Sequence, residues 1–253
     1  MGKKAILVTN DDGIHSEGIH VLAEALGEVG EVFVVAPDRE RNAASHALTL
    51  HKPLRVEEVR ENVYAINGTP TDCVNLAVLH LLKRRPSLVV SGINKGGNLG
   101  DDVTYSGTVS AAIEGTLLGI PSVAVSQVGE GRYHFASAAE FAARLSRLIL
   151  ERGLDKETLL NVNVPNLPSS EIKGVLFTAQ GKRLFEGNAV VEKVDPRGRK
   201  YYWIGVAGLD WADRGDSDDK AIRENKISVT PLHLDLTHYK ALEHLRDWER
   251  DLS

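Results

Sequence analysis

The chain has 253 residues, of which 42% are hydrophobic and 26% charged, the profile of a soluble globular protein of one large domain or one domain with an appendage. Lys plus Arg number 30 against 35 Asp plus Glu, a formal net charge of -5 that argues against a nucleic-acid-binding surface. The single cysteine, Cys73, excludes an intramolecular disulfide and a thiolate zinc cluster.

Residues 1–4 lead straight into a short apolar run, too short for a signal peptide, and no later stretch approaches a membrane span. The expectation is a cytoplasmic protein without a membrane partner. Strands are predicted at 5–9, 32–36, 88–91, 122–126 and 159–164, several of them continuous Val/Ile/Leu runs suited to a sheet covered on both faces. Helices are predicted at 18–26, 72–83, 109–118 and 137–151, with Ser137 as N-cap of the last. A hairpin, 54–59 with 63–66, interrupts the first crossover, and Cys73 reads as a small core residue. This alternation predicts an α/β fold with a doubly wound sheet.

Beyond about Thr178 the regularity stops. Runs 190–194 and 200–204 flank Asp195-Pro196-Arg197-Gly198-Arg199, a strong hairpin signal. Its Tyr201, Tyr202 and Trp203 suit an arm on a partner chain or packing on its own domain equally well. Residues 211–225 are polar and read as a loop with some helix, 227–232 as a strand, and 237–252 as one terminal amphipathic helix. The expected division is a catalytic domain, 1–180, followed by an arm and oligomerisation segment, 181–253.

Chemistry concentrates in blocks that follow strands. The first is Asn10-Asp11-Asp12-Gly13. Two adjacent carboxylates at a strand's exit oppose each other's ionisation unless a cation lies between them. For an isolated block of this kind turn formation and helix capping are the better account, and the rest of the chain changes that balance. Neighbouring side chains of an extended strand point apart, so the two share an ion only if the chain turns, which Gly13 allows. Residues 37–46 offer oxygen ligands, two arginines and His46 among solvated charges. Residues 91–100 carry Asn94 and four glycines. Tyr105-Ser106-Gly107-Thr108 opens a helix whose free N–H groups suit a phosphate, although the same hydroxyls serve as N-caps. Oxygen donors without a His or Cys cluster favour Mg²⁺, Mn²⁺ or Ca²⁺ over Zn²⁺. A hard cation beside such a helix end points to phosphoryl chemistry. Neither G-x-x-x-x-G-K-[ST] nor G-x-G-x-x-G occurs. A haloacid-dehalogenase-type site needs D-x-D, whereas these acids are adjacent.

Together the blocks resemble the SurE family, the stationary-phase survival proteins with metal-dependent 5'-nucleotidase activity. The resemblance runs through Thr9-Asn10-Asp11-Asp12-Gly13, Ala36-Pro37-Asp38, Gly68-Thr69-Pro70-Thr71-Asp72-Cys73-Val74 and Ser91-Gly92-Ile93-Asn94 with Gly97-Asn98-Leu99-Gly100. It continues through Tyr105-Ser106-Gly107-Thr108-Val109, Asn161-Val162-Asn163-Val164-Pro165 and Ser228-Val229-Thr230-Pro231-Leu232. It implies a Rossmann-like domain with one divalent metal per subunit, held by Asp11, Asp12, Asn42 and Asn94. The family usually has serine at position 42, and Asn42 is longer. The implied reaction hydrolyses nucleoside 5'-monophosphates, with 3'-monophosphates and short polyphosphate as further substrates. Asp11 and Asp12 would be catalytic, with Asn98, Ser106, Gly107 and Thr108 on the phosphate. A hairpin arm, roughly 189–205, and the tail after Leu232 would be exchanged between subunits of a homodimer or homotetramer. The alternative is a non-catalytic nucleotide or phosphate sensor that retains the metal site.

Overall fold

Strand β1 (Ala5–Thr9) is buried at every position, as an apolar run covered on both faces must be. The computed structural model describes residues 3–184, 190–204 and 210–253. The elements after β1 are α1 (Glu17–Gly27), β2 (Glu31–Pro37), the hairpin β3 (Val56–Arg60) and β4 (Val63–Ile66), and α2 (Pro70–Leu76). They continue with β5 (Leu88–Lys95), α3 (Gly107–Leu117), β6 (Ser122–Val128), α4 (Phe135–Arg152) and β7 (Thr158–Pro165). Short strands β8 (Val175–Phe177) and β9 (Arg183–Leu184) come next, then β10 (Val190–Val194), β11 (Lys200–Ile204) and β12 (Asp210–Trp211). Last are α5 (Asp218–Arg223), β13 (Ile227–His233), α6 (Tyr239–Leu245) and α7 (Glu249–Leu252).

Among the described residues nine strands form one sheet in the order β3-β4-β2-β1-β5-β6-β7-β13-β8. Strands β2, β1, β5, β6 and β7 are parallel. The sheet is mixed at its ends: β3 runs antiparallel to β4, and β13 antiparallel to β7. Side chains alternate across it. Ile6, Val8, Val34 and Val90 pack with Ile19, Leu22 and Phe141 of α1 and α4. Leu7, Val35 and Val89 pack with Cys73, Val74 and Ala111 of α2 and α3 on the opposite face. The order reverses at β1, which pairs with β2 on one side and β5 on the other. In an open α/β sheet, the crevice beyond the carboxyl ends of such strands is where ligands bind.

Several boundaries differ from expectation. Helix α4 starts at Phe135 with His134 at the cap position, and Ser137 lies inside its first turn, bonding His134 O at 2.9 Å. Helix α2 starts two residues early because Thr69 and Asp72 form a reciprocal capping box with Pro70 in the first turn. It widens into a π-helical stretch, Ala77–Leu81, and stops before Lys83. The single terminal helix expected at 237–252 is instead α6, a 3₁₀ turn (Arg246–Trp248) and α7. Leu242, Leu245 and Trp248 are exposed there, so the stripe lacks the packing that sustains a long amphipathic helix. The hairpin β10–β11 has the expected antiparallel register, with every residue exposed, while positions 189 and 205 of the expected arm lie outside the described residues.

Candidate active site

The chain turns immediately after β1, and Asn10 makes the turn. Its Oδ1 accepts the Gly13 N–H at 3.1 Å, while its Nδ2 donates to Gly13 O at 3.1 Å and to Ser16 Oγ at 2.7 Å. Gly13 has φ +94, and a Cβ there would lie 2.9 Å from the Arg39 carbonyl carbon. Asp11 is thereby buried at the head of α3, where its Oδ1 accepts a 2.5 Å hydrogen bond from Thr108 Oγ1. Gly107 makes room for it: a Cβ there would stand 2.9 Å from Asp11 Oδ2.

Both carboxyls are pushed toward the protonated form. Burial raises Asp11, and the Thr108 hydroxyl only partly opposes it. Burial, then the charge of Asp11, raises Asp12 from 3.8 to about 6, against the opposing Lys95 backbone N–H. Asp12 Oδ2 is buried without a hydrogen-bond partner among the described residues. An orphaned carboxylate oxygen beside a second buried carboxylate fits a hard cation. Among the described residues no group of three or more His, Cys, Asp or Glu is placed to hold a metal ion, so the remaining donors would be amides.

Asn94 comes from the end of β5. Opposite β6, the register advances three residues on β5 (Ser91 to Asn94) for two on β6 (Ala124 to Ser126), a bulge that re-aims the strand's last side chains. Asn94 Nδ2 donates to Gly96 O at 2.9 Å. Asn98 is buried and clamped from β7: its N–H donates to Asn163 Oδ1 at 2.9 Å, and its carbonyl accepts from Asn161 Nδ2 at 2.8 Å and Asn163 Nδ2 at 3.0 Å. Its own Nδ2 donates to Ser126 Oγ at 2.7 Å. Ser106 caps α3, its Oγ accepting from Val109 N–H at 3.1 Å. Asn42 is exposed, and its Nδ2 donates to Glu40.

Asp11, Asn42, Asn94, Asn98 and Ser106 line one open cleft of about 450 Å³. All four sequence blocks therefore reach one place at the sheet's edge. Asp12, Gly107 and Thr108 are not among the residues lining it; Gly107 and Thr108 lie against Asp11, which engages the Thr108 hydroxyl. Lys95, Asp102, Tyr105 and Arg183 also line the cleft; Lys95 and Tyr105 fall within the sequence blocks without a role assigned to them there, and Asp102 and Arg183 lie outside those blocks. The Gly100–Thr104 3₁₀ turn that carries Asp102 is tied to the chain's last third. Gly100 N–H donates to Asp218 Oδ2 at 2.8 Å, Lys182 pairs with Asp101 at 3.0 Å, and Arg183 pairs with Asp102. The Arg183 guanidinium lies 5.1 Å from the centroid of Trp211.

His46 does not line the cleft wall; its Nε2 meets Glu114 Oε2 of α3 at 2.9 Å, and Asn75 Nδ2 donates to Glu114 Oε1 at 2.7 Å. That network lowers Glu114 below the usual carboxylate value, chiefly through the His46 bond. It pins the loop that carries Asn42.

Comparison with known proteins places this arrangement in a family. Residues 6–187 match the family model described as survival protein SurE. The chain is 58% identical over 245 residues to the 5'-nucleotidase SurE of Geobacter metallireducens, covering 96% of this chain and 97% of that one. It is 58% identical over 244 residues to the 5'-nucleotidase SurE of Pelobacter propionicus, covering 96% and 98%. The crystal structure of the SurE protein from Aquifex aeolicus superposes with a TM-score of 0.88 at 44% identity, covering 97% of this chain and 99% of that one. Likeness of this extent, in sequence and in fold, makes the chain a member of the SurE family.

Proposed function

We propose that the cleft hydrolyses nucleoside 5'-monophosphates to nucleoside and phosphate with a divalent cation. The chain is a 5'-nucleotidase, a phosphoric monoester hydrolase. The observation that carries this is the pair of buried Asp11 and half-buried Asp12 at the N-terminus of α3 and the sheet's switch point, in a chain whose near full-length relatives are named 5'-nucleotidase SurE.

In this reading Asp11, Asp12, Asn94 and Asn42 hold one cation per subunit, their oxygens suiting Mg²⁺, Mn²⁺ or Ca²⁺. When bound, the cation supplies Lewis-acid polarisation of the phosphoryl group and acidifies a water. One carboxylate of the Asp11–Asp12 pair takes the proton of the attacking water. The helix end of α3, with the Gly107 N–H at its head, faces the phosphate with its partial positive charge, while the Thr108 N–H serves Asp11. The Ser106 hydroxyl and Asn98 add polar contacts from the cleft wall. The same chemistry extends to 3'-monophosphates and short polyphosphate. The cytoplasm, where nucleotides are abundant, is the compartment assigned.

Residues 1–180 carry the chemistry in this reading, apart from Arg183 on the cleft wall. The hairpin β10–β11 and the segment after Leu232 serve assembly into a homodimer or homotetramer, a role supported by exposed Tyr202, Trp203, Ile204, Leu242 and Trp248. The comparisons do not favour a non-catalytic sensor, since the relatives carry an enzyme's name. The test is phosphate release from a panel of nucleoside monophosphates after chelation, then with Mg²⁺, Mn²⁺ or Ca²⁺ restored singly. Release that returns with a metal supports the reading. No release with any metal, from folded protein that binds nucleotide, overturns it.

A further inference from the structure

The cleft's donors do not match a phosphate dianion by themselves. The Thr108 hydroxyl is engaged by Asp11 at 2.5 Å, and Asn98 directs its N–H to Asn163 and its Nδ2 to Ser126. What remains on that side is the Ser106 hydroxyl, the second Asn98 Nδ2 hydrogen and the Gly107 N–H, all of them uncharged donors. The charges are also unbalanced. Asp11 and Asp102 line the cleft, and Asp12 is close enough to Asp11 to feel its charge. Arg183, the wall's arginine, is paired with Asp102 and held over Trp211. Lys95 is therefore, among the described residues, the cation of the wall without an ion-pair partner.

Its placement follows from the sheet. β5 extends to Lys95, paired with Gln127 of β6, while β1 next to it stops at Thr9 opposite Ser91. The side chain thus starts beyond the carboxyl edge, after the bulge that re-aims Asn94. It is exposed, and its charge acts on Asp12. An ammonium on a four-carbon stem brings three donors and a full charge to a phosphoryl oxygen without fixed geometry.

We propose that Lys95 is a substrate-binding residue that holds the phosphate dianion from the β5 side of the cleft, complementing the N-terminus of α3. This rests on the phosphatase reading and adds a phosphate contact to it. Because the same charge repels a metal ion, Lys95 has opposite effects on the two ligands: it strengthens phosphate binding and weakens cation binding.

The test compares the full-length protein with Lys95→Ala and Lys95→Arg. Adenosine 5'-monophosphate is the substrate and inorganic phosphate the competitive inhibitor. Phosphate binding to the Mn²⁺-loaded protein is followed by calorimetry and Mn²⁺ binding by electron paramagnetic resonance. Lys95→Ala is expected to raise KM and the phosphate inhibition constant together by about tenfold, as for loss of a charge-assisted bond. Its kcat changes less, its Mn²⁺ affinity is equal or tighter, and Lys95→Arg recovers most of the phosphate affinity. Unchanged phosphate affinity in Lys95→Ala overturns the proposal. So does a parallel loss of phosphate and Mn²⁺ binding, the mark of a purely structural role. A wild-type protein that binds phosphate in the calorimeter yet releases none from nucleotide would end the phosphatase reading, and the calorimetric comparison would still decide Lys95.

Discussion

Thr108 Oγ1 donates a 2.5 Å hydrogen bond to Asp11 Oδ1 across 97 residues of sequence, joining the first turn of α3 to the carboxylate proposed to hold the cation. Both side chains are buried, so the bond fixes the carboxylate's orientation and opposes the effect of burial on its protonation. Thr108→Val keeps the shape and removes the donor. Metal affinity and activity should fall about 10- to 100-fold, the usual cost of losing a partner that orients a ligand. Thr108→Ser should retain most of both. A Mn²⁺ titration of the valine variant that superposes on wild type would dismiss the bond's role.

Asp11→Asn should abolish most turnover without unfolding the chain. The metal-free protein has two carboxylates held against their preference, with Asp12 raised to about 6 by burial and by Asp11. A carboxyl whose folded pKa lies above its ordinary value of 3.8 destabilises the fold once ionised. The contribution of this pair to the stability of the metal-free protein therefore drops as pH rises from about 4 through about 6. Asparagine at position 11 removes the charge and should shrink that drop. A bound cation offsets it in the wild type, so Mn²⁺ should raise the melting temperature more at pH 7.5 than at pH 5. Thermal scans at both values, with and without Mn²⁺, check this; an equal metal effect at the two would refute it.

What the sequence reveals and conceals follows from the range of each interaction. The parallel strands and the β10–β11 hairpin are legible because burial on both faces and turn chemistry act over a few residues. The Asp11–Asp12 turn is legible for the same reason, through Asn10 and Gly13. Ser137 misleads because any serine near a helix start resembles a cap, whereas the chain enters α4 three residues earlier at His134. The antiparallel β13 carries no local mark of its direction. Asn161 and Asn163 show only as polar residues in an apolar strand; that they clamp Asn98 is settled 63 and 65 residues away. Arg183 reaches the cleft through Asp102, 81 residues upstream, and nothing near it in sequence announces that contact.

Glu114 gives a pH effect of the opposite sign. Its carboxyl is lowered by the His46 bond, with Asn75 adding to it. A depressed acid stabilises the fold above its unfolded pKa, here near 4.5, and the contribution is lost as pH falls through the folded value. Glu114→Ala should cost about 1–3 kcal/mol at pH 7, leaving Asn75 and His46 without their acceptor. The difference from wild type should narrow below pH 4. Urea denaturation of both proteins at pH 7 and pH 3.5 measures it, and a constant gap would contradict the assignment.

Asp218 is the residue through which the last third of the chain supports the site. It is fully buried, and its two oxygens accept N–H groups from Gly100, Gly181 and Asp219, each at 2.8 Å. These bonds act against the burial that raises its pKa. Asp218→Ala leaves three buried N–H groups without acceptors, at about 1–3 kcal/mol each where water cannot reach them. The Gly100 turn begins two residues after Asn98, so the cleft wall should loosen with the fold. Asp218→Asn keeps one carbonyl acceptor and should lie between alanine and wild type in stability. In the asparagine variant, KM for nucleotide should rise more than kcat falls, because the binding wall moves while Asp11 and Asp12 stay on β1's turn. A variant of reduced stability with unchanged KM would show that the Asp218 anchor supports the fold alone.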